Sequence, residues 1–209
     1  MGDDDRGASE SSPGPEAPGV ELRGIEARNI VLIGPMGSGK STVGAALARR
    51  LGRPHVDSDQ FFVARHGPIP DYFRTHGEET FRREEEHVVA DLLDSPRPSV
   101  ISLGGGAILS PATRRVLHGH LVVLLDMSLE QAHRRIGDAS TRPVLGDDPM
   151  RRWAEVYAER EPLYRGAADV VLPPADAPVR QRAVTIVEAL TAHVRRPPTS
   201  GPHQEASQP

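Results

Sequence analysis

Short runs of branched apolar residues alternate along this chain with stretches in which apolar positions recur every three or four residues. The first run, Asn29–Ile33, stops at Gly34 and predicts a buried strand. Val43, Leu47 and Leu51 then repeat at four-residue spacing, which predicts a helix over Lys40–Leu51. Pro54–Asp59 reads as a short edge strand ending in two acids. Gln60–Arg65 and Pro70–His76 carry helical patterning. Phe81, Val88, Val89, Leu92 and Leu93 put a longer helix over Glu78–Leu93. A strand over Ser99–Leu103 runs into Gly104-Gly105-Gly106. Pro111–Leu117 predicts a short helix, His120–Asp126 a central strand and Leu129–Ile136 a helix. Gly137–Pro149 is polar and reads as a mobile loop. Arg151–Glu161 predicts a helix, Asp169–Leu172 a last strand and Val179–Val194 a closing helix. This alternation predicts an α/β fold, a parallel sheet flanked by helices on both faces.

The ends differ from the middle. Residues 1–27 and 195–209 are rich in Gly, Pro, Ser and acids, and too poor in apolar residues to offset chain entropy by burial. They are expected as disordered tails around one domain over 28–194. The net charge of -4 argues against a nucleic-acid partner held by bulk electrostatics. The absence of cysteine excludes disulfides and thiolate metal sites. The longest apolar runs, Ile30–Ile33 and Leu121–Leu125, are too short to span a bilayer, and the N-terminus has no apolar signal core. A cytoplasmic protein with no membrane partner is expected.

Candidate chemistry begins with charge usage. Of 25 Lys and Arg residues, Lys40 is the only lysine. It lies in Gly34-Pro35-Met36-Gly37-Ser38-Gly39-Lys40-Ser41-Thr42, which matches the phosphate-binding loop G-x-x-x-x-G-K-[ST]. The glycines let N–H groups of Gly37, Ser38, Gly39, Ser41 and Thr42 curl round an anion. The ammonium reaches the β/γ-phosphates, and Ser41 can ligate Mg²⁺. The strand before the loop and the helix after it supply the context this motif needs, so ATP with Mg²⁺ is expected in a P-loop NTPase-type sheet.

Asp57-x-Asp59 closes the second strand beside that loop. Two residues apart on extended chain, both carboxylates face one side. One can organise the Mg²⁺ shell and the other orient an acceptor hydroxyl; alternatively, Asp57 or Ser58 caps the following helix. Arg82 follows the apolar Phe81, which suggests a half-buried arginine in need of a carboxylate. Gly104, Gly105 and Gly106 allow close backbone approach to a ligand. Arg142-Pro143 lies in the polar loop, where an arginine can close over phosphates or serve as an ordinary surface charge. Arg160 sits where the helix is expected to end, so a helix-dipole role is the alternative there.

Taken in order, Gly34–Thr42, Asp57-x-Asp59, Gly77-Glu78-x-x-Phe81-Arg82-x-x-Glu85, Leu103–Ala107, Arg142-Pro143 and Glu159-Arg160-x-Pro162-Leu163-Tyr164 resemble the shikimate kinases. The resemblance covers roughly Arg28 to Val194 and implies a nucleoside-monophosphate-kinase-like fold. It implies ATP-dependent phosphorylation of the shikimate 3-hydroxyl, with a substrate-binding region over 57–93 and a lid over 137–150. By likeness, Asp59 holds the ring hydroxyls, Asp57 and Ser41 serve Mg²⁺, and Arg82 and Arg160 clasp the carboxylate, with Gly105 in contact. Phe73 and Phe81 are implied as apolar walls, Glu85 as the partner that orients Arg82, and Arg142 as the lid arginine on the phosphates. Arg135, or Arg134, is implied beside adenine. A monomer is expected. A gluconate kinase of the same fold is the nearest alternative, since a sugar acid also offers a carboxylate and hydroxyls.

Overall fold

Alternate residues of the central strand feed two different cores. Strand β1 (Ile30–Ile33) sends Ile30 and Leu32 to one face of the sheet and Val31 and Ile33 to the other. Its partner β4 (Leu121–Leu125) divides its residues the same way. Both strands are wholly buried, which is why each reads as an unbroken apolar run. The computed structural model describes residues 25–136 and 148–195. Within them, β2 (His55–Asp57), β3 (Val100–Ser102) and β5 (Val170–Leu172) complete an all-parallel sheet of order β2-β3-β1-β4-β5.

Helices α1 (Lys40–Leu51) and α7 (Val179–Arg195) cover the first face, packing Val43, Leu47, Ile186 and Leu190 against β1 and β4. The opposite face is covered by α2 (Ser58–His66), α3 (Ile69–Leu93), α4 (Pro111–Leu117) and part of α6 (Pro149–Ala167). Helix α5 (Leu129–Ile136) joins α6 in a small third cluster of Met127, Ala132, Ile136 and Trp153. Each large core side chain matters: truncating one such as Leu32 to alanine costs about 2–5 kcal/mol. The parallel order puts the C-terminal ends of β1, β2, β3 and β4 on one edge, where open α/β sheets bind ligands.

Three expectations change. First, β2 ends at Asp57, and Asp59 is already in α2. The pair is therefore not on one extended strand, and its two carboxylates are separated by a change of secondary structure. Second, α6 does not end at Glu161. It runs through Pro162 to Ala167, held on the far side of the proline by the buried Tyr164. Tertiary anchoring overrides the local penalty, and Arg160 stands inside the helix rather than at its end. Third, Ile25 falls in the segment expected as tail, yet it is buried in the core, with its carbonyl accepting from Arg53 Nη2 at 2.8 Å. Residues 1–24 and 196–209 of the expected tails, and residues 137–147 of the expected lid with Arg142, lie outside the described residues. Gly77 separates two helical stretches as its position suggested, with φ 77° and ψ 171° inside α3.

Candidate functional site

The phosphate loop leaves β1 at Gly34 and enters α1 at Lys40. Gly37 and Gly39 have φ of 83° and 88°, a region that L side chains avoid. Both turns aim the loop at the start of α1, where unpaired N–H groups and the helix dipole favour an anion. Lys40 Nζ lies along the loop, donating to the carbonyls of Gly34 at 2.9 Å and Pro35 at 3.1 Å. From the next helices, Trp153 Nε1 donates to Met36 O at 3.1 Å and Arg135 Nη1 to Gly37 O at 3.3 Å. Arg134 instead pairs with Glu130 and Asp176. Of the two arginines, Arg135 is therefore the one against the loop.

Asp57 joins both readings offered for it. Its Oδ1 caps α2, accepting from the N–H groups of Asp59 at 3.0 Å and Gln60 at 3.3 Å. Its Oδ2 accepts from Ser41 Oγ at 2.5 Å. The cap fixes the carboxylate, and the free edge faces the loop. Asp59 follows in the first turn of α2, an exposed residue on the wall of the cleft. Desolvation by the protein around the cleft raises its pKa above the ordinary aspartate value, and the Asp57 charge raises it further, while Lys40 and Arg82 oppose the shift.

The three glycines after β3 have unequal tasks. A side chain at Gly104 would collide with the Asp59 carboxylate, and one at Gly106 would collide with the Arg82 guanidinium. Gly105 has no such neighbour; its carbonyl accepts from Arg160 Nη1 at 3.1 Å and Tyr164 Oη at 2.6 Å. The glycine run thus admits the protein's own polar side chains, in addition to any ligand. Burial pushes the Tyr164 phenol up to about 12, so it stays a neutral donor.

Arg82 is held from behind. Its Nη1 pairs with Glu85 at 2.6 Å, and its guanidinium stands over the Phe81 ring at 5.1 Å. Glu85 is itself buried, which raises its pKa; the Arg82 charge and hydrogen bond counter that rise. The Nε atoms of Arg82 and Arg160 are buried without hydrogen-bond partners. Phe81 is only 6% exposed and belongs to the core, its ring in tilted contact with those of Phe62 and Phe73. Phe73 is 37% exposed and is the one of the two implied walls with an open face.

A cavity of about 540 Å³ runs from Lys40 and Ser41 past Asp57 and Asp59 to Gly105 and Arg160; Arg82 and Phe73 are not among the residues that line it. Trp153 and Tyr157 form its third side. Their rings stack with centroids 5.1 Å apart, and Tyr157 donates to the buried Asp126 at the end of β4, which also pairs with Arg165 at 2.8 Å. The sequence reading did not single out this aromatic pair. The signal available was a Trp and a Tyr four apart on a helix that follows the polar loop.

A family model described as shikimate kinase matches residues 36–191. A shikimate kinase from Mycobacterium avium is 47% identical over 142 residues, covering 67% of this chain and 80% of that protein. One from Streptomyces avermitilis is 41% identical over 162 residues, covering 77% of this chain and 94% of that protein. Among solved structures, shikimate kinase from Acinetobacter baumannii in complex with shikimate is similar with a TM-score of 0.76 and 32% identity. That likeness covers 82% of this chain and 97% of the other.

Proposed function

This chain belongs to the shikimate kinase family, and from that premise we propose that its cleft holds ATP on the phosphate loop and shikimate on the arginine side, with Asp59 between them. The enzyme phosphorylates shikimate at the expense of ATP, giving shikimate 3-phosphate and ADP, a step of aromatic amino acid biosynthesis. The observation that carries the division of labour is the cavity itself, which runs from Lys40 and Ser41 past Asp59 to Arg160. Arg82 and Arg160 are anchored through Nη1 by Glu85 and Gly105, which holds each guanidinium fork in place for a planar carboxylate.

Asp59, with the charges of Lys40 and Arg82 acting on it, orients the 3-hydroxyl and accepts its proton as the oxygen attacks the γ-phosphorus. Lys40 swings from the loop carbonyls to the phosphates as they enter, since those are the stronger acceptors. Arg142 adds positive charge from the lid. Ser41 and Asp57 offer a hydroxyl and a carboxylate in contact at the loop mouth, an all-oxygen set that suits Mg²⁺, which keeps waters and phosphate oxygens as its remaining ligands. When bound, the ion neutralises charge on the β- and γ-phosphates. Glu85 fixes the Arg82 fork, and the Phe73 face packs on the ring side of the substrate. Arg135 flanks the adenine end. Every residue invoked comes from one chain, so the site is complete in a monomer.

The test is ADP release from Mg-ATP with shikimate, gluconate and nucleoside monophosphates as acceptors. Turnover with shikimate well above the other two is expected. Turnover with another acceptor and none with shikimate would overturn the assignment.

A further inference from the structure

Successive carbonyls of the phosphate loop are each held by a donor. Lys40 takes those of Gly34 and Pro35, Trp153 that of Met36, Arg135 that of Gly37, and Val43 N–H that of Gly39 at 2.8 Å. The remaining one, Ser38 O, accepts from Arg182 Nη1 at 3.2 Å. Within a peptide unit the carbonyl and the following N–H point opposite ways. Holding the Ser38 carbonyl on the α7 side therefore turns the Gly39 N–H the other way, toward the concave face that cradles an anion.

Arg182 differs from the other donors. It lies in the first turn of α7 and is 5% exposed, and its Nε and Nη2 have no hydrogen-bond partner among the described residues. Burial lowers its pKa, and the neighbouring charge that acts on it is another cation, Arg135, which lowers it further. A buried cation without a compensating carboxylate weighs against stability, and an apolar side chain of similar length would fill the space at less cost. The charge becomes favourable when an anion enters the loop from the other side.

We propose that Arg182 is a positioning residue for the nucleotide, which locks the Ser38–Gly39 peptide with its N–H turned into the loop and adds positive potential beneath the phosphates. The inference rests on the reading of this loop as the ATP site. It deepens that reading by placing part of the nucleotide's binding energy on the far side of α1, on a residue that touches no substrate.

The test compares the full-length protein with Arg182→Met and Arg182→Lys, by calorimetric titration with ADP and ATP, by KM for each substrate and by thermal midpoint without ligand. Arg182→Met should weaken nucleotide binding about tenfold or more and leave the KM for shikimate within about twofold. Its unliganded midpoint should stay level or rise, because the buried charge is gone. Arg182→Lys should recover part of the nucleotide affinity. Unchanged nucleotide affinity in Arg182→Met would overturn the proposal. So would a lowered midpoint with both KM values raised alike, the pattern of a purely structural residue. If Arg182→Met does not fold, Arg182→Lys decides: a raised KM for ATP alone supports the proposal, and equal changes for both substrates contradict it. If the wild-type protein itself binds no ATP, the reading of the loop fails; if it binds ATP and Arg182→Met binds equally well, this inference alone fails.

Discussion

Gly104 lacks a side chain where the Asp59 carboxylate comes to rest: a Cβ at that position would occupy the same space as Oδ1. The backbone there has no positive φ, so the requirement is one of room rather than of conformation. Gly104→Ala should displace Asp59 and lower kcat about 100-fold, with the fold intact. Gly105→Ala is the internal control, since its Cβ would meet Tyr164 Oη at 3.6 Å, an ordinary contact. It should retain most of the turnover. Steady-state rates of the two variants, side by side, separate these outcomes; equal losses would remove the steric account.

Glu85→Gln tests the support of Arg82. The variant keeps the shape and removes the charge that holds Nη1 at 2.6 Å. The KM for shikimate should rise about tenfold, with the KM for ATP little changed. Stability should fall by about 1–3 kcal/mol, less than for a fully buried pair because Arg82 remains 26% exposed. Urea unfolding and KM values for both substrates check the two halves.

The raised pKa of Asp59 has a sign that can be followed in two ways. Its ionised form is needed for transfer, so the acidic limb of kcat/KM should lie above the ordinary aspartate range. Desolvation disfavours the same ionised form in the folded state. Its contribution to stability is therefore least favourable above the folded pKa, improves as pH falls through that value, and levels off below the unfolded one. The midpoint of the wild type minus that of Asp59→Asn should increase on acidification over this window. A difference that is flat with pH would contradict the assignment.

Lys40→Arg keeps the charge and changes its shape. The ammonium lies within reach of two loop carbonyls, 2.9 and 3.1 Å away, between the glycine turns. A planar fork is broader than that space and more weakly hydrated. Turnover should fall about 100-fold or more, as expected when a contact to the transferring charge is lost. Near-normal rates would show that any cation serves.

The sheet and most helices were legible because their signals are local. Ile30–Ile33 and Leu121–Leu125 read as buried strands from their own residues, and α1, α4 and α5 have the expected limits. The continuation of α6 through Pro162 was not legible, because what sustains it is a hydrogen bond from Tyr164 to Gly105, 59 positions away. The shift of Asp59 from strand to helix was half legible: the cap that decides it is local, and Asp57 as a cap was one of the two readings. In the site, the parts that follow motifs, Lys40, Ser41 and the glycines, could be named from the sequence. Trp153 and Arg182 were not, since the contact each makes with the loop spans more than 100 positions.

The account turns on Asp59 as the group that acts on the acceptor hydroxyl. Asp59→Asn preserves the shape, removes the charge and leaves the phosphate loop untouched. Measured together, turnover should collapse about 100-fold or more while ATP, titrated calorimetrically, binds as in the wild type. Near-normal turnover in this variant would contradict the claim and take Asp59 out of the mechanism.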